Sequence, residues 1–232
     1  MLELLQFPPG AGLMNLSPFC MKVEVFLRLA KLDYRAVSTM PLRTPKGKLP
    51  VLREGGMLVA DSQAILAHLQ LRHREQLPAA LREPTTGAQL ALRRMVEEDL
   101  YFAMLWFRWI DADGWRFTAP TFFGGLPGPV RAVLPALVRR KMRRDLVGQG
   151  TGRHTATEIA ARAIADLDAV QAMLGDALFF AGAEPGTIDA TMYAFLANLL
   201  WAPVESAPRS HLATQAALVA YCERLRERVG AA

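Results

Sequence analysis

The sequence pattern changes about one third of the way along the chain, and this change limits the available folds more than any other feature. Before about residue 77, short apolar runs typical of strands alternate with amphipathic stretches typical of helices. After about residue 86, nearly every segment has helical spacing. We therefore predict an α/β domain at residues 1–77 and an all-helical domain at residues 86–232, joined by a linker that contains prolines.

The predicted elements of the first domain follow one another as strand, helix, strand, connection, hairpin and helix. The strands are predicted at residues 2–7, 34–39, 51–53 and 58–60. The first helix begins at Ser17, and Glu54-Gly55-Gly56 forms the turn of the hairpin. Asp61 and Ser62 cap the last helix. This order is typical of a thioredoxin-like layer, in which helices cover a mixed sheet.

Helices account for nearly all of the second domain. They are predicted at residues 87–110 and 155–174, and near Thr187 and Leu212. The second of them starts with a capping box at residues 155–158. A segment rich in proline and glycine, at residues 120–129, is expected to interrupt the helices. For the helix predicted near Thr187, the sequence allows two N-cap residues before Asp189, either Gly186 or Thr187.

Composition excludes several classes of protein. With 52% hydrophobic residues among 232, the chain has enough apolar side chains for a buried core. No run approaches the roughly 18 apolar residues of a membrane-spanning helix, so we expect no transmembrane segment. The first residues lack the basic start and apolar centre of a signal peptide, and two cysteines, Cys20 and Cys222, suit a reducing compartment. We therefore expect a cytoplasmic protein.

The net charge of +5 does not indicate a nucleic-acid partner. The basic residues are spread along the chain, and no zinc finger or other nucleic-acid motif accompanies them. One cluster, at residues 139–144, consists of Arg139, Arg140, Lys141, Arg143 and Arg144. As a helix this cluster is amphipathic and basic, which favours an anionic membrane surface or an acidic partner, or is simply a solvated helix face.

The clearest candidate for a reactive site is the motif Ser17-Pro18-Phe19-Cys20. Serine is a favoured helix N-cap, and proline is pre-organised for the first helical position. A helix N-terminus favours a thiolate over a thiol, so the motif is suited to activating a sulfur. That sulfur is either the Cys20 thiol or the thiol of a bound ligand. Alternatively, Ser17 only caps the helix and Cys20 packs as a small hydrophobic residue.

Five motifs, taken in order, resemble the glutathione transferase superfamily. The resemblance is to the branch that contains the failed-axon-connections protein, the metaxins and cadmium-responsive transferase-like proteins. The motifs are SPFCMKVEVFLRLA at residues 17–30, KGKLPVL at 46–52, DSQAI at 61–65, GQGTGRHT at 148–155 and LFFAGAEPGTIDA at 178–190. In glutaredoxins a cysteine occupies the first position of the tetrapeptide, where this chain has Ser17. The motif is therefore more similar to that of the serine-type transferases.

The resemblance implies a thioredoxin-like domain followed by an all-helical transferase domain, with glutathione as co-substrate. It implies that Ser17 stabilises the glutathione thiolate, which attacks a small apolar electrophile in a detoxification reaction, with Cys20 as the alternative nucleophile. Two further readings stay open. One is a glutathione-binding or scaffold protein of the metaxin type with little turnover, and the other is a thiol-disulfide reductase that uses Cys20. A homodimer is common in the superfamily, and the oligomeric state stays open.

The resemblance also assigns the residues that bind glutathione. Leu49-Pro50 corresponds to a cis proline site, at which the Leu49 main chain pairs with the cysteinyl part of glutathione. Asp61 and Ser62 correspond to an acidic-serine pair that holds the γ-glutamyl end. Lys48 lies close enough along the chain to approach the glycyl carboxylate, or else it only solvates its turn.

Two other groups of side chains are candidates for a functional site, but each also has a simpler structural explanation. The aromatic residues between positions 100 and 117 could line a cleft for the electrophile, although such rings more often form a core or an interface. The histidines form no ligand cluster with either cysteine, apart from the ambiguous pair of His68 and His73. No metal is therefore expected.

Overall fold

The computed structural model describes residues 1–41 and 44–230. By packing, the chain forms two compact units. The first consists of residues 1–93 and 173–202 and the described residues from Ala217 onward, and the second of residues 94–172 and 203–216. This grouping follows spatial packing and not order along the chain. The limits of 1–77 and 86–232, drawn from sequence pattern, stay a prediction.

A four-stranded mixed sheet forms the centre of the first unit. Its strands are β1 (Leu2–Gln6), β2 (Tyr34–Ser38), β3 (Val51–Glu54) and β4 (Met57–Ala60). The spatial order is β2-β1-β3-β4, with β1 parallel to β2, and β3 antiparallel to both β1 and β4. All five residues of β1 are buried, including the polar residues Glu3 and Gln6. The predicted thioredoxin-like layer is therefore confirmed.

The hairpin between β3 and β4 turns on two glycines. Gly55 and Gly56 have φ angles of 55° and 87°, so both lie in the left-handed region that side chains disfavour. Two consecutive residues of this kind are typical of a tight hairpin turn that matches the twist of the strands. Glu54, which we predicted in the turn, pairs instead with Met57 as the last residue of β3.

Two helices of the first unit are buried on most of their surface. Nine of the twelve residues of α1 (Pro18–Leu29) are buried, and so are thirteen of the fifteen residues of the later helix Thr187–Trp201. These two helices pack against each other. Each fully buried large apolar side chain contributes about 1.5–3 kcal/mol, so this contact is a main source of stability in the unit. The second helix over the sheet, α2, spans Ser62–Arg72.

The remaining helices include the predicted ones, with three differences, and others for which no bounds were predicted. Their bounds are α3 Ala79–Arg82, α4 Gly87–Met95, α5 Tyr101–Trp109, α6 Ala112–Phe123, α7 Gly128–Gln149, α8 Ala156–Leu174, α9 Thr187–Trp201, α10 Ala207–Thr214 and α11 Ala216–Val229. The helix predicted at residues 87–110 contains a π-helical segment, Val96–Leu100. The helix expected near Leu212 is two helices, α10 and α11. None of the helices in the described residues is both long enough and apolar enough to cross a membrane.

The third difference concerns the predicted interruption at residues 120–129, which is confined to residues 124–127, so that Pro120 lies inside α6. Proline lacks the N–H that a helix interior requires, so a break was expected there. The helix nevertheless continues to Phe123, because its last turn packs aromatic rings against α5. The Phe122 ring centroid lies 5.4 Å from that of Trp109, and the Phe123 centroid lies 6.3 Å from it. Aromatic packing thus offsets the lost hydrogen bond.

The glycine-rich motif at residues 148–155 forms the connection between α7 and α8. Gly150 has a φ angle of 121°. A Cβ atom at Gly152 would lie only 2.9 Å from the Leu146 carbonyl carbon, so the main chain approaches the end of α7 too closely for a side chain. The Arg153 Nε donates to the Val147 carbonyl at 2.9 Å and satisfies one of the unpaired acceptors of that end. The motif therefore has a structural explanation.

Asp189 provides the buried cap of α9. Its two carboxylate oxygens accept main-chain N–H bonds from Phe180 at 2.8 Å, Ala181 at 3.1 Å and Gly186 at 2.9 Å. The Tyr221 hydroxyl donates to the same carboxylate at 3.1 Å. Of the two caps left open by the sequence, Gly186 is the one formed. Because glycine has no side chain, only the Asp189 half of a capping box is made.

Glu54 ties the hairpin to α2. Its two carboxylate oxygens bind the Nε2 atoms of His68, at 2.6 Å, and His73, at 2.9 Å. Burial opposes ionisation of Glu54, but the hydrogen bonds from the two histidines outweigh it and lower the pKa of this carboxyl. The histidine pair that was ambiguous in the sequence is thus engaged by a carboxylate.

We predict that Asp189→Ala lowers the free energy of unfolding by about 3 kcal/mol, because it leaves several buried N–H groups without an acceptor. Urea denaturation measures this loss. Glu158→Ala is the matched control, since Glu158 holds the same capping position in α8 but is exposed. Its loss should be much smaller. Equal losses in the two variants would show that burial of Asp189 contributes nothing.

We also predict a pH-dependent contribution from Glu54. A carboxyl whose pKa is lower in the folded state stabilises the fold above its unfolded pKa, and this contribution disappears as the pH falls through the folded pKa. Between about pH 6 and about pH 3, the wild-type protein should therefore lose more stability than Glu54→Gln. Denaturation of both proteins across that range measures the difference, and parallel curves would contradict the assignment.

Candidate functional site

The register of the sheet brings three loops together at one end of its strands, which we call the sheet edge. Leu5 pairs with Val51, and Val51 pairs with Ala60, so these residues lie side by side at the same end of three strands. At this end the chain leaves β1, enters β3 and leaves β4. The adjoining segments carry Ser17, Leu49-Pro50 and Asp61-Ser62. Three segments that the sequence singled out separately therefore meet at one place.

A buried cluster fixes how closely these segments approach. Cys20, from the first turn of α1, packs with Leu5, Leu49 and Val51, and Ala60 packs against the same group. Cys20 belongs to the helix that begins after Ser17, Leu49 precedes Pro50, and Ala60 precedes Asp61. Contact within the cluster thus joins the start of α1 to both of the other segments.

Ser17 is the N-cap of α1, as predicted. Its backbone is extended, with φ −90° and ψ 114°, and its Oγ accepts a hydrogen bond from the Cys20 N–H at 3.4 Å. The serine is partly exposed. Its hydroxyl therefore lies at the positive end of the α1 dipole with access to solvent, which suits it to donate a hydrogen bond to an anion.

Asn15 holds the loop that carries Ser17. This residue is fully buried; its Oδ1 accepts from the Ser17 N–H at 3.0 Å, and its Nδ2 donates to the Phe7 carbonyl at 2.6 Å. From α9, the Nδ2 of buried Asn198 donates to the Asn15 carbonyl at 3.1 Å. Sequence reasoning missed both asparagines. A single amide within the apolar stretch AFLANLL of α9 was the available signal.

Cys20 is fully buried within α1. Burial raises the pKa of its thiol to about 11, although hydrogen bonds from Ser17 and from the Phe7 main chain act in the opposite direction. At neutral pH the thiol is therefore almost entirely protonated. These properties are typical of a cysteine that packs in a core and not of one that attacks a substrate.

The Leu49-Pro50 peptide bond is cis, as the family resemblance implied. Leu49 is buried, and no hydrogen bond joins its main chain to any other residue that the structure describes. Its N–H and C=O groups are thus available to pair with an extended ligand. Lys48 is exposed, and its carbonyl accepts from the Thr44 hydroxyl at 2.8 Å, which closes the preceding turn.

Asp61 and Ser62 form the start of α2. The Asp61 Oδ1 accepts the main-chain N–H groups of Gln63 at 3.0 Å and Ala64 at 3.1 Å, so Asp61 is the N-cap. It does so with a φ angle of 98°, a strained conformation for a residue that is not glycine. Ser62 is buried, and its hydroxyl has no hydrogen-bond partner among residues 1–41 and 44–230.

Lys22 is a further polar residue that sequence reasoning missed. It lies in α1 with no exposed surface, and its Nζ donates to the Gln63 Oε1 at 3.0 Å. This bond links α1 to the first turn of α2. A buried lysine side chain therefore lies between α1 and the start of α2. In the sequence, Lys22 resembled the other polar residues on the outer face of α1.

The aromatic residues between positions 100 and 117 pack against one another in the second unit. Trp109 lies 6.2 Å from Trp115 between ring centroids, and the Arg139 guanidinium stacks over Trp115 at 4.7 Å. Arg139 also donates to the carbonyls of Trp109, at 3.0 Å, and Ile110, at 2.8 Å. Among the described residues, no group of three or more histidine, cysteine or acidic side chains could hold a metal ion.

Two family models match the chain. The Glutathione S-transferase N-terminal domain matches residues 18–114, and the Glutathione S-transferase, C-terminal domain matches residues 163–225. A glutathione S-transferase of Ceriporiopsis subvermispora, solved in complex with glutathione, has the same fold. Its TM-score is 0.69 at 16% identity, covering 98% of this chain and 97% of that one.

Relatives by sequence fall into two groups. The isoprene-epoxide–glutathione S-transferase of Rhodococcus sp. (strain AD45) is 29% identical over 98% of both chains. Failed axon connections of Drosophila melanogaster is 31% identical over 84% of this chain and 49% of its own length, so the match spans about half of that relative. Metaxin-1 of Macaca fascicularis is 27% identical over 97% of this chain and 74% of its own.

We predict that Cys20 reacts slowly with thiol reagents in the folded protein. At about pH 7.5, a thiol with a pKa of about 11 has roughly 300-fold less thiolate than an ordinary cysteine. In Cys222→Ser, which leaves Cys20 as the only thiol, alkylation by iodoacetamide should be at least about 100-fold slower in the folded protein than in urea. Similar rates in both conditions would make Cys20 a candidate nucleophile again.

Proposed function

This chain belongs to the glutathione S-transferase superfamily, and we propose that it binds glutathione at the sheet edge and transfers it to a small apolar electrophile. One observation carries the proposal. The Ser17 hydroxyl is accessible at the start of α1, where Leu49-Pro50 and Asp61-Ser62 converge, while the only nearby thiol, Cys20, is buried and protonated. The sulfur that this site handles is therefore that of a ligand.

The start of α2 suits the γ-glutamyl end of glutathione. A helix N-terminus attracts a carboxylate, and the Ser62 hydroxyl has no other partner in the described part of the chain. Asp61 uses Oδ1 to cap the helix, and its residue is exposed, so the other oxygen can bind the ligand ammonium. The strained backbone of Asp61 supports this role, because such conformations concentrate at functional sites.

Leu49 suits the cysteinyl part of the ligand. Its N–H and C=O groups can pair with an extended peptide in the manner of an added strand. Pairing of this kind fixes the ligand sulfur relative to the sheet edge and hence to Ser17. Lys48, exposed one residue before, would approach the glycyl carboxylate as a point charge. Together these contacts would orient glutathione along the edge.

Ser17 then stabilises the glutathione thiolate by donating its hydroxyl hydrogen. The α1 dipole adds a partial positive charge at the same point. Lowering the thiol pKa by one unit corresponds to about 1.4 kcal/mol, which one hydrogen bond and a helix terminus can supply. The thiol proton passes to solvent. The thiolate sulfur forms a bond to a carbon atom of the electrophile, and the bond from that carbon to its leaving group breaks. In an epoxide the bond that breaks is the carbon–oxygen bond of the ring, and the resulting alkoxide takes a proton from water.

The relatives by sequence support two candidate functions, which differ in how much catalytic turnover they imply. The Rhodococcus enzyme matches nearly the whole chain, which supports conjugation, and small epoxides are the electrophiles that its name suggests. The metaxin and failed-axon-connections matches support a second candidate, a glutathione-binding or scaffold protein with little turnover. A cytoplasmic location, a role in detoxification and a homodimer remain parts of the first proposal.

We predict that Ser17→Ala lowers kcat/KM for conjugation about tenfold to a hundredfold, because the thiolate loses a hydrogen-bond donor. Glutathione affinity should change by less than about threefold, since the backbone and Asp61-Ser62 still hold the ligand. The apparent pKa of the bound thiol should rise by about one unit. A chlorinated dinitrobenzene and a small epoxide serve as electrophiles, with affinity measured by calorimetry.

Ser206→Ala is the matched control. Ser206 caps α10 and accepts from the Arg209 N–H at 3.4 Å, the same bond that Ser17 makes in α1. Both variants lose a cap worth about 1 kcal/mol, but only Ser17→Ala should lose activity. Full activity in Ser17→Ala would overturn the mechanism. Glutathione binding by the wild-type protein without turnover of either electrophile would favour the scaffold role, and disulfide reduction abolished only by Cys20→Ala would favour the reductase.

A further inference from the structure

Helix α7 exposes apolar side chains to an unusual degree. It has 22 residues, yet Leu146 is the only one of them that is fully buried in the described structure. Val133 and Leu137 are both 57% exposed, and Val130 and Val147 are 43% and 40% exposed. Single exposed apolar residues are ordinary, but several in one helix call for an explanation.

These side chains share one face of the helix. The exposed positions 130, 133, 137, 140, 144 and 147 follow steps of three and four residues, which is the spacing of a single helical stripe. Arg139 lies outside the stripe, because its guanidinium bonds the carbonyls of Trp109 and Ile110 and stacks on Trp115. The α7 face, as we call the six stripe positions, therefore consists of four aliphatic residues together with Arg140 and Arg144.

Positive charge surrounds the α7 face. Arg140, Arg143 and Arg144 are exposed, and Arg140 and Arg143 form no ion pair within residues 1–41 and 44–230. Asp145 is the acid of this region, and it pairs with Lys141 and lies 4.0 Å from the Arg144 Nε. One carboxylate thus faces four cations at residues 140–145. The remaining positive charge is not neutralised within the helix.

We propose that the α7 face docks on an anionic lipid bilayer, with the helix lying in the plane of the surface. Aliphatic side chains would enter the boundary between headgroups and acyl chains, while the arginines bind lipid phosphates and carboxylates. Each basic residue near such a surface strengthens binding about fivefold. Membrane docking by α7 uses no residue of the glutathione site and is independent of transferase activity.

Charge favours a lipid surface over a second copy of this chain. A symmetric dimer places the same patch of each copy against the other. Two α7 faces in contact would bring arginines of one copy toward those of the other without an acid on the face to pair them. An anionic bilayer supplies both the negative charge and the apolar depth that the face requires.

Vesicle sedimentation with the full chain tests this docking. Vesicles of phosphatidylcholine alone are compared with vesicles that contain about 30% phosphatidylserine. The wild-type protein should bind the anionic vesicles at least about 100-fold more tightly, and about tenfold less tightly when salt rises from about 0.1 to about 0.5 M. Equal binding to both vesicles would overturn the proposal without any need for a variant.

Two substitutions separate the contributions of charge and apolar contact. The triple variant Arg140→Gln, Arg143→Gln, Arg144→Gln should lose about 100-fold in affinity for anionic vesicles. Its control, Arg72→Gln, Arg94→Gln, Arg116→Gln, makes the same change in net charge at exposed arginines elsewhere and should bind as the wild type does. Val133→Ser, Leu137→Ser should weaken binding at high salt most, because apolar contact persists where charge is screened.

Three results would contradict docking by the α7 face. The proposal fails if both triple variants bind equally, because attraction would then follow net charge alone. It fails if Val133→Ser, Leu137→Ser leaves vesicle binding intact while light scattering shows that a dimer has become a monomer, which would make the face a subunit interface. It also fails if polyglutamate binds as tightly as vesicles and the serine substitutions change neither, which would indicate an acidic protein partner.

Discussion

The packing of α1 against α9 and the sheet is the contact on which the other features of the first unit depend. Because α1 is buried along most of its length, its start is fixed relative to the sheet edge. Asn198 of α9 bonds the main chain of Asn15, and Asn15 in turn bonds the main chains of Phe7 and Ser17. The position of the Ser17 hydroxyl is therefore determined by packing and buried hydrogen bonds, not by a flexible loop.

The same burial separates the roles of two neighbouring groups. Ser17 and Cys20 lie one helical turn apart, and both are near the positive end of α1. The serine remains partly exposed, while the cysteine is enclosed by Leu5, Leu49 and Val51. Loss of hydration outweighs the helix terminus and raises the thiol pKa to about 11. The start of α1 thus combines a partly exposed hydroxyl with a buried, protonated thiol.

Much of the fold could be predicted because its signals are local. Ser17-Pro18 starts α1, Gly55-Gly56 turns a hairpin, and the capping box at residues 155–158 starts α8, as the structure confirms. Pro120 was misread for the opposite reason. Its local effect is to end a helix, but rings that pack on Trp109 keep α6 intact, and nothing near Pro120 in the sequence indicates that contact.

Local sequence is enough to specify the order of strands and helices in the first domain, the caps of α1, α2 and α8, and the separate motifs that contain Ser17, Leu49-Pro50 and Asp61-Ser62. Only the tertiary structure shows that these motifs meet at the sheet edge and that Cys20 is buried. It also shows that Asp189 accepts a hydrogen bond from the Gly186 N–H and that the apolar stripe of α7 faces solvent. The two kinds of property depend on residues at different separations along the chain. Backbone conformation follows from the nearest residues along the chain, whereas burial, and with it the pKa and exposure of each side chain, depends on residues far away in sequence.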